Sequence, residues 1–577
     1  MISSLLLPLL ALSTAPPSSG LASTPPMGFN TWNKFKCSIS GAVLMKMADL
    51  FESLGLQAAG YEYVNSDDCW MDLERAASPN GTLGAGPQVP NATKFPQGMR
   101  AVADYIHGKG LKIGLYTARA SKTCAGFAGS CHYEHVDAAQ WANWTIDYMK
   151  DDSCGGCGSA EDDYTVMQAA IRDVGSNMVL TIEGAPPIND VYTGIAGNAR
   201  RVGHDISPFW ASMISLVDLG AGLWPYAHNG SLTTVKGGGG FWNDLDMLEL
   251  GNGVFIAGNS ELNAANARSH FSIWAVMKAV LLLGCDLSSV DPATLAIMTN
   301  AKAIAINQDS WGQQARRIAV KTPKDAKLAS PDHAIAIASK CDATNAMQTW
   351  RLAKNGTNPA HLYVVDGEGQ AWCLRFGAPM LAVPCNGDGP VVNDGSGWEL
   401  EAVGQPGAGE YNLMSLNGDL GLAILNAFGG SGPVPHSRWL TNGRDAFVAD
   451  AAALASAGGG TLRAVATNIY DDDNVGGVNV GGEFCLEIAS GSTLETWAGQ
   501  LSPDPSSGAS RWAVALFNRS PSMDVVGLEF ALLPGRGAAT AFVVHDVWHN
   551  TTDPTSAADY LVNVAAHDTA LLIVTEQ

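Results

Sequence analysis

Basic residues are scarce in this chain: 33 Lys and Arg stand against 55 Asp and Glu, a formal net charge of −22 over 577 residues. Phosphate backbones need clustered Lys and Arg to displace their counterions, so nucleic acid is not an expected partner. An anionic membrane surface is disfavoured for the same reason. Charged residues of both signs make up only 15% of the chain, against a typical ~25%. With 64 Gly and 28 Pro, that composition favours a loop-rich compact protein over a coiled coil. No run reaches the ~18 uninterrupted apolar residues of a spanning helix, and the apolar segment Ile273–Leu283 reads as a short buried helix. What is plentiful is apolar residue, 46% of the chain, enough for a sizeable core. Neutral partners such as sugars stay open.

The start of the chain lacks the usual Lys or Arg of a secretory leader, yet Leu5 to Leu12 is apolar and small residues follow to Ser23. Residues 1–23 are therefore expected to be a signal peptide. Sequons at Asn80, Asn91, Asn143, Asn229, Asn355, Asn518 and Asn550 fit a secretory route, extracellular or ending in a lysosome or vacuole. Eleven cysteines is an odd number, so at least one is expected to be unpaired. Cys154-Gly155-Gly156-Cys157 has the spacing of a zinc or redox pair, but no second such pair or suitably spaced His pair accompanies it.

From Thr24 to about Arg317, short apolar runs ending in polar residues alternate with helix-period segments. The runs are Tyr61–Asn65, Leu111–Tyr116, Thr145–Lys150, Met178–Ile182 and Gly238–Asp244; the helices Val43–Ala58, Gly98–His107, Val136–Trp144 and Ala160–Val174 lie between them. This alternation predicts an α/β fold, a (β/α)8 TIM barrel over 24–317, with reactive residues at the carboxyl ends of the strands. Beyond it, 318–340 and 491–577 are expected to form a C-terminal antiparallel β-sandwich domain, with alternating runs such as Trp512–Phe517 and Ala570–Val574. A Gly- and Ala-rich insertion, 341–490, separates the two pieces. Its Gln348-Thr349-Trp350 and Cys373-Leu374 faintly resemble ricin-type trefoil lectins, an ordinary insertion being the plainer reading.

The strand ends carry acids repeatedly: Asp67 and Asp68, Asp151 and Asp152, Glu183, Asp244 and Asp246. In a strand, Lys150 and Asp152 share one face and Asp151 takes the other. A carboxylate beside a cation has its charged form favoured and suits a nucleophile. Glycoside hydrolysis needs a second carboxyl to give and take a proton, and Asp205 in Gly203-His204-Asp205-Ile206 is the candidate. Singly, each acid could instead cap a helix in a βα loop; together with one Lys they point to a polar, sugar-sized pocket.

Thr24-Pro25-Pro26-Met27-Gly28-Phe29-Asn30-Thr31-Trp32-Asn33 resembles the opening signature of glycoside hydrolase family 27, the α-galactosidase and α-N-acetylgalactosaminidase family. The likeness continues through Tyr63–Trp70, Lys122–Phe127, Lys150–Cys154, Gly203–Ile206 and Trp242–Glu249, and in the β domain at Glu495–Ser502 and Trp512–Ser520. It implies a retaining exo-α-galactosidase acting on α-galactoside glycans, with Asp152 as nucleophile and Asp205 as acid/base, and with neither cofactor nor metal. By the same likeness Asp67 and Asp68 hold the 6- and 4-hydroxyls of the sugar, and Lys150 lies near its 3- and 4-hydroxyls. Trp32 and Tyr116 wall the pocket, Cys124 and Met247 border it, and Arg201 and Asp246 complete its polar rim. Glu183 accepts a bond from the 2-hydroxyl, where N-acetylgalactosaminidases keep small residues, so its presence favours galactose. The implied disulfides are Cys37–Cys69 and Cys124–Cys154. The pairing of Cys131, Cys157, Cys285, Cys341, Cys373, Cys385 and Cys485 stays open, as does the oligomeric state, a homodimer among the options.

The chain departs from the family pattern at Thr117-Ala118-Arg119-Ala120, Ile182-Glu183-Gly184, Lys150-Asp151-Asp152 and Asp244-Leu245-Asp246. These changes bear on the leaving-group side and the substrate range. The alternatives are an α-N-acetylgalactosaminidase or isomaltose-type α-glucosidase, and a lectin-like glycan-binding protein on a catalytically weak barrel.

Overall fold

The computed structural model describes residues 20–183, 197–227, 240–252, 264–321 and 494–577, except positions 204, 209, 312 and 521, together with the backbone of strands between 334 and 490. Most of the expected leader, the sequons Asn229 and Asn355, and the side chains of 341–490 lie outside the described residues.

Eight parallel strands form the first sheet: β1 Met27–Asn30, β2 Tyr63–Asn65, β3 Lys112–Ala118, β4 Tyr148–Asp152, β5 Val179–Ile182, β6 Ala199–Arg201, β7 Trp242–Asp244 and β8 Leu281–Leu283. They run in the order 7-6-5-4-3-2-1-8, and a parallel bridge between Leu248 and Leu283 joins the two ends into a barrel. Parallel strands are covered on both faces, which is why they read as continuous apolar runs. Inside the barrel, space is tight: a Cβ on Gly114 of β3 would lie 2.2 Å from Asn65 Oδ1, so only glycine fits there.

Two of the crossover helices start on side-chain caps. Ser40 accepts from the Val43 N–H at the head of Gly41–Ser53, which buries Leu44, Met47, Ala48 and Phe51 at helical spacing. Ser159 does the same for Ala160–Asp173, whose first turn carries Glu161, Asp162 and Asp163 at the positive end of the helix dipole.

Ile273–Leu283 is not one helix. The helix Ala264–Val276 ends, Lys278 takes a φ of +55°, and Leu281–Leu283 becomes β8. Every residue from Ile273 to Leu283 is buried, so no polar face exists to reveal where the period changes.

Past the barrel, β9 Arg316–Lys321 pairs with Leu494–Leu501 in a six-stranded antiparallel sheet. Successive residues of its central strand face opposite cores. Ala513, Ala515 and Phe517 join the barrel's core, while Trp512, Val514 and Leu516 pack toward Val526 and Leu528 of the two-stranded sheet. Between them, Ala334–Lys340 pairs with Phe484–Ser490, so the two ends of the intervening segment lie side by side, and the strands within it join the same sheet.

One sequon is structural. Asn518 is fully buried, and its Nδ2 donates to the carbonyls of Ser522, Val564 and Ala565, so the folded chain offers no acceptor for a glycan there.

Candidate active site

The carboxyl ends of the barrel strands deliver the polar groups to one place. Asp67 follows β2; its Oδ2 accepts from Asn30 Nδ2 at 3.0 Å and faces Lys150 Nζ at 3.4 Å. Asp68 accepts from the Cys69 and Ala125 N–H groups, at 2.6 and 2.9 Å, and its burial raises its carboxyl despite them. On β4, alternation places Lys150 and Asp152 together. Asp152 Oδ2 accepts from Tyr116 Oη at 2.7 Å and lies 3.7 Å from Lys150 Nζ, while Oδ1 accepts from the Ser153 N–H at 2.6 Å. Tyr116 Oη also sits 3.3 Å from Cys124 Sγ.

Two cations, a buried Arg201 and a mostly buried Lys150, organise the acids. Lys150 Nζ reaches Glu183 Oε2 at 3.3 Å as well as Asp67 and Asp152. Burial pulls the ammonium down, but Asp67, Glu183 and Asp152 raise it well above its ordinary range. Arg201, at the end of β6, reaches Glu183 at 2.9 Å, Asp205 at 3.0 Å and Asp246 at 2.9 Å. Asp205 is the exception to burial, with 67% of its side chain exposed. Partial desolvation pushes its carboxyl up, and Arg201, then Lys150, more than offset this, leaving it below the usual range. Glu183 goes the other way, because burial outweighs the pull of Arg201.

Asp246 has a φ of +72°, an unfavourable conformation for a side-chain-bearing residue. It is held by the Ile206 and Met247 N–H groups, each 2.7 Å from its carboxyl, and by its own N–H donating to Asp244 Oδ1 at 2.8 Å.

A pocket of about 360 Å³ opens here, lined by Lys150, Glu183, Arg201, Asp246 and Met247. Asp67 and Asp152 meet it through Lys150, and Tyr116 and Cys124 stand behind Asp152. Trp32 is half-buried just past β1, its N–H donating to Asn30 Oδ1 at 2.8 Å. Asn30, Tyr148 and Thr181 also line the pocket and were not singled out from the sequence. Asp244, one of the strand-end acids, lines it too, and burial pushes its carboxyl up to about 6.

Three disulfides brace these loops: Cys37–Cys69, Cys124–Cys154 and Cys131–Cys157. The Cys154-x-x-Cys157 pair is thus divided, each sulfur bonded to the loop after β3. Among the described residues Cys285 is buried and free. Arg119, in the departing Thr117–Ala120 segment, is buried and pairs with Asp163 at 3.0 Å and Ser153 Oγ at 2.9 Å, holding the loop that follows the β4 strand end.

The family model described as alpha galactosidase A matches residues 24–309, and the one described as alpha galactosidase C-terminal beta sandwich domain matches 491–574. An alpha-galactosidase of Oryza sativa subsp. japonica is 41% identical over 303 residues, 52% of this chain and 67% of that one. Among solved structures, alpha-galactosidase I from Mortierella vinacea shares the fold at a TM-score of 0.58 and 21% identity, over 97% of this chain and 99% of that one. A family 27 β-L-arabinopyranosidase from Geobacillus stearothermophilus shares it at 0.53 and 15%, over 96% and 97%. This chain belongs to glycoside hydrolase family 27 and is a glycoside hydrolase of the α-galactosidase type.

Proposed function

We propose that the protein is a retaining exo-α-galactosidase that removes terminal α-linked galactose by double displacement. The observation that carries this reading is that Asp152 lies between Tyr116 Oη and Lys150, which lines the pocket, with Asp205 on the same chain of contacts through Glu183 and Arg201. Asp152 attacks the anomeric carbon; the glycosidic C–O bond breaks, and the leaving oxygen takes the proton of Asp205. A water then replaces the enzyme ester, giving its proton back to Asp205 and releasing galactose.

Asp205 enters this cycle paired to Arg201, a state suited to the base step. The acid step asks that a bound sugar draw Arg201 away, and the neighbouring Glu183 supplies the group that a 2-hydroxyl would meet. Asp67 and Asp68 take the 6- and 4-hydroxyls in this reading. The three disulfides suit an oxidising compartment and hence the secretory route.

A panel of p-nitrophenyl glycosides tests the assignment. The α-galactoside should be cleaved fastest, and Asp152→Asn should lower kcat by at least about a thousandfold with the melting curve unchanged. Faster cleavage of the α-N-acetylgalactosaminide, the α-glucoside or the β-L-arabinopyranoside would overturn the galactose assignment. Sugar binding without cleavage of any of them would favour a glycan-binding protein.

A further inference from the structure

Three strand-end segments meet at Glu249, a buried acid that the proposed reaction does not use. It follows β7 and is 1% exposed. Its Oε1 accepts from Asn33 Nδ2 and its Oε2 from Asn252 Nδ2, while its backbone N–H donates to His270 Nε2 at 3.0 Å. Asn33 directly follows Trp32. The Asn252 amide also donates to the Gly284 carbonyl, just past β8, at 3.1 Å. Packing there leaves no slack: a Cβ on Gly284 would lie 3.2 Å from Asn33 Cβ and 3.4 Å from Met247 Cβ. Met247 lines the pocket.

We propose that Glu249 is a positioning residue for the sugar pocket: its carboxylate ties the Trp32–Asn33 turn to the strand ends that carry Met247 and Gly284, and so fixes the pocket's apolar side. This deepens the proposed function and takes from it only the identity of the sugar. An ionised carboxyl accepts on both oxygens, whereas the acid carries a proton on one of them and cannot serve both amide donors equally. Burial, opposed by Asn252 and reinforced by Asp246, pushes the carboxyl up to about 7. The other titratable or charged groups facing it are Asp246 in its own segment, Lys36 beyond Trp32, His270 on the helix Ala264–Val276, and Cys285 after β8. Burial pushes His270 down to about 3 and Cys285 up to about 12, so neither changes charge near neutrality. The tie is therefore complete above neutrality and loosened below it.

Steady-state kinetics on p-nitrophenyl α-galactoside across neutral pH, for wild type, Glu249→Gln and Glu249→Leu, test this. In the wild type, KM should fall as pH rises through about 7. Glu249→Leu should raise KM at alkaline pH by roughly three- to tenfold while kcat falls by less. In Glu249→Gln the side-chain oxygen still serves Asn33, and Asn252 can turn its Oδ1, without a partner among the described residues, to accept from the new amide, giving up its bond to the Gly284 carbonyl. That variant should lose the pH dependence of KM near neutrality while keeping the Asn33 bond. Equal KM in wild type and Glu249→Leu, or a KM profile in Glu249→Gln that keeps the wild-type break, overturns the proposal. Hydrogen exchange at residues 31–36, compared at one pH without substrate, separates the two readings. If the wild type cleaves no α-galactoside, the proposed function fails alone. Exchange that is faster in Glu249→Leu still supports the tie, and unchanged exchange overturns it.

Discussion

Two adjacent carboxyls on β4 show how position decides chemistry at the scale of one residue. Asp152 points into the barrel toward Tyr116 and Lys150, while Asp151 points into the helix layer, fully buried and with neither oxygen hydrogen-bonded among the described residues. Burial, with the Asp152 charge adding, raises Asp151 well above the ordinary carboxylate range. An acid raised in the folded state contributes its full stability below the unfolded value and loses it as pH climbs. Asp151→Asn cannot ionise, so its melting temperature should match wild type near pH 4 and exceed it by a growing margin toward pH 8. A constant difference across that range would contradict a neutral, buried Asp151. Strand alternation made the Lys150–Asp152 pairing legible from the sequence. It could not reveal Asn30, which acts through Asp67, or Glu249, whose partner Asn33 lies 216 residues away. Such roles come from barrel closure, which no local pattern encodes.

At the scale of elements, the loops after β3 and β4 are bound to each other twice, by Cys124–Cys154 and Cys131–Cys157, and again by Arg119 through Ser153 and Asp163. This bracing holds the segment that begins with the Ser153 N–H, a donor to Asp152. Removing Cys131–Cys157 as the double serine variant should cost about 3 kcal/mol of stability, measured by denaturant unfolding, with KM affected more than the fold of the barrel. No loss of stability would mean that Arg119 and Cys124–Cys154 suffice. The longer strands and helices were legible because their periods are clean. Three strands were not: β8 is hidden in an apolar run buried on every side, and β1 and β6 lack the apolar run ending in acids that marked β2 and β7, strands no longer than three residues themselves.

At the scale of the whole molecule, barrel and sandwich share a core and an ionic seam. Ala513, Ala515 and Phe517 pack into the barrel's cluster, Trp210 stacks on His567 at 4.4 Å, and Arg519 bridges Asp218 at 2.9 Å and Glu495 at 3.0 Å. The seam and the pocket respond to pH in opposite senses. Burial raises Asp218, but Arg519 and Arg317 more than offset it and hold it at about 2, so its contribution is lost as pH falls toward 2. Asp244 at about 6 and Glu249 at about 7 lose theirs as pH rises through those values. Self-repulsion from the net charge of −22 adds to the alkaline loss. The melting temperature should therefore peak near pH ~4–5 and decline toward pH 8; a steady rise to pH 8 would contradict this assignment. A covalent glycosyl ester on Asp152, opened by water, is tested by proton NMR of the first sugar released from p-nitrophenyl α-galactoside. α-Galactose should appear first, before mutarotation, and β-galactose as the first product would rule the ester out.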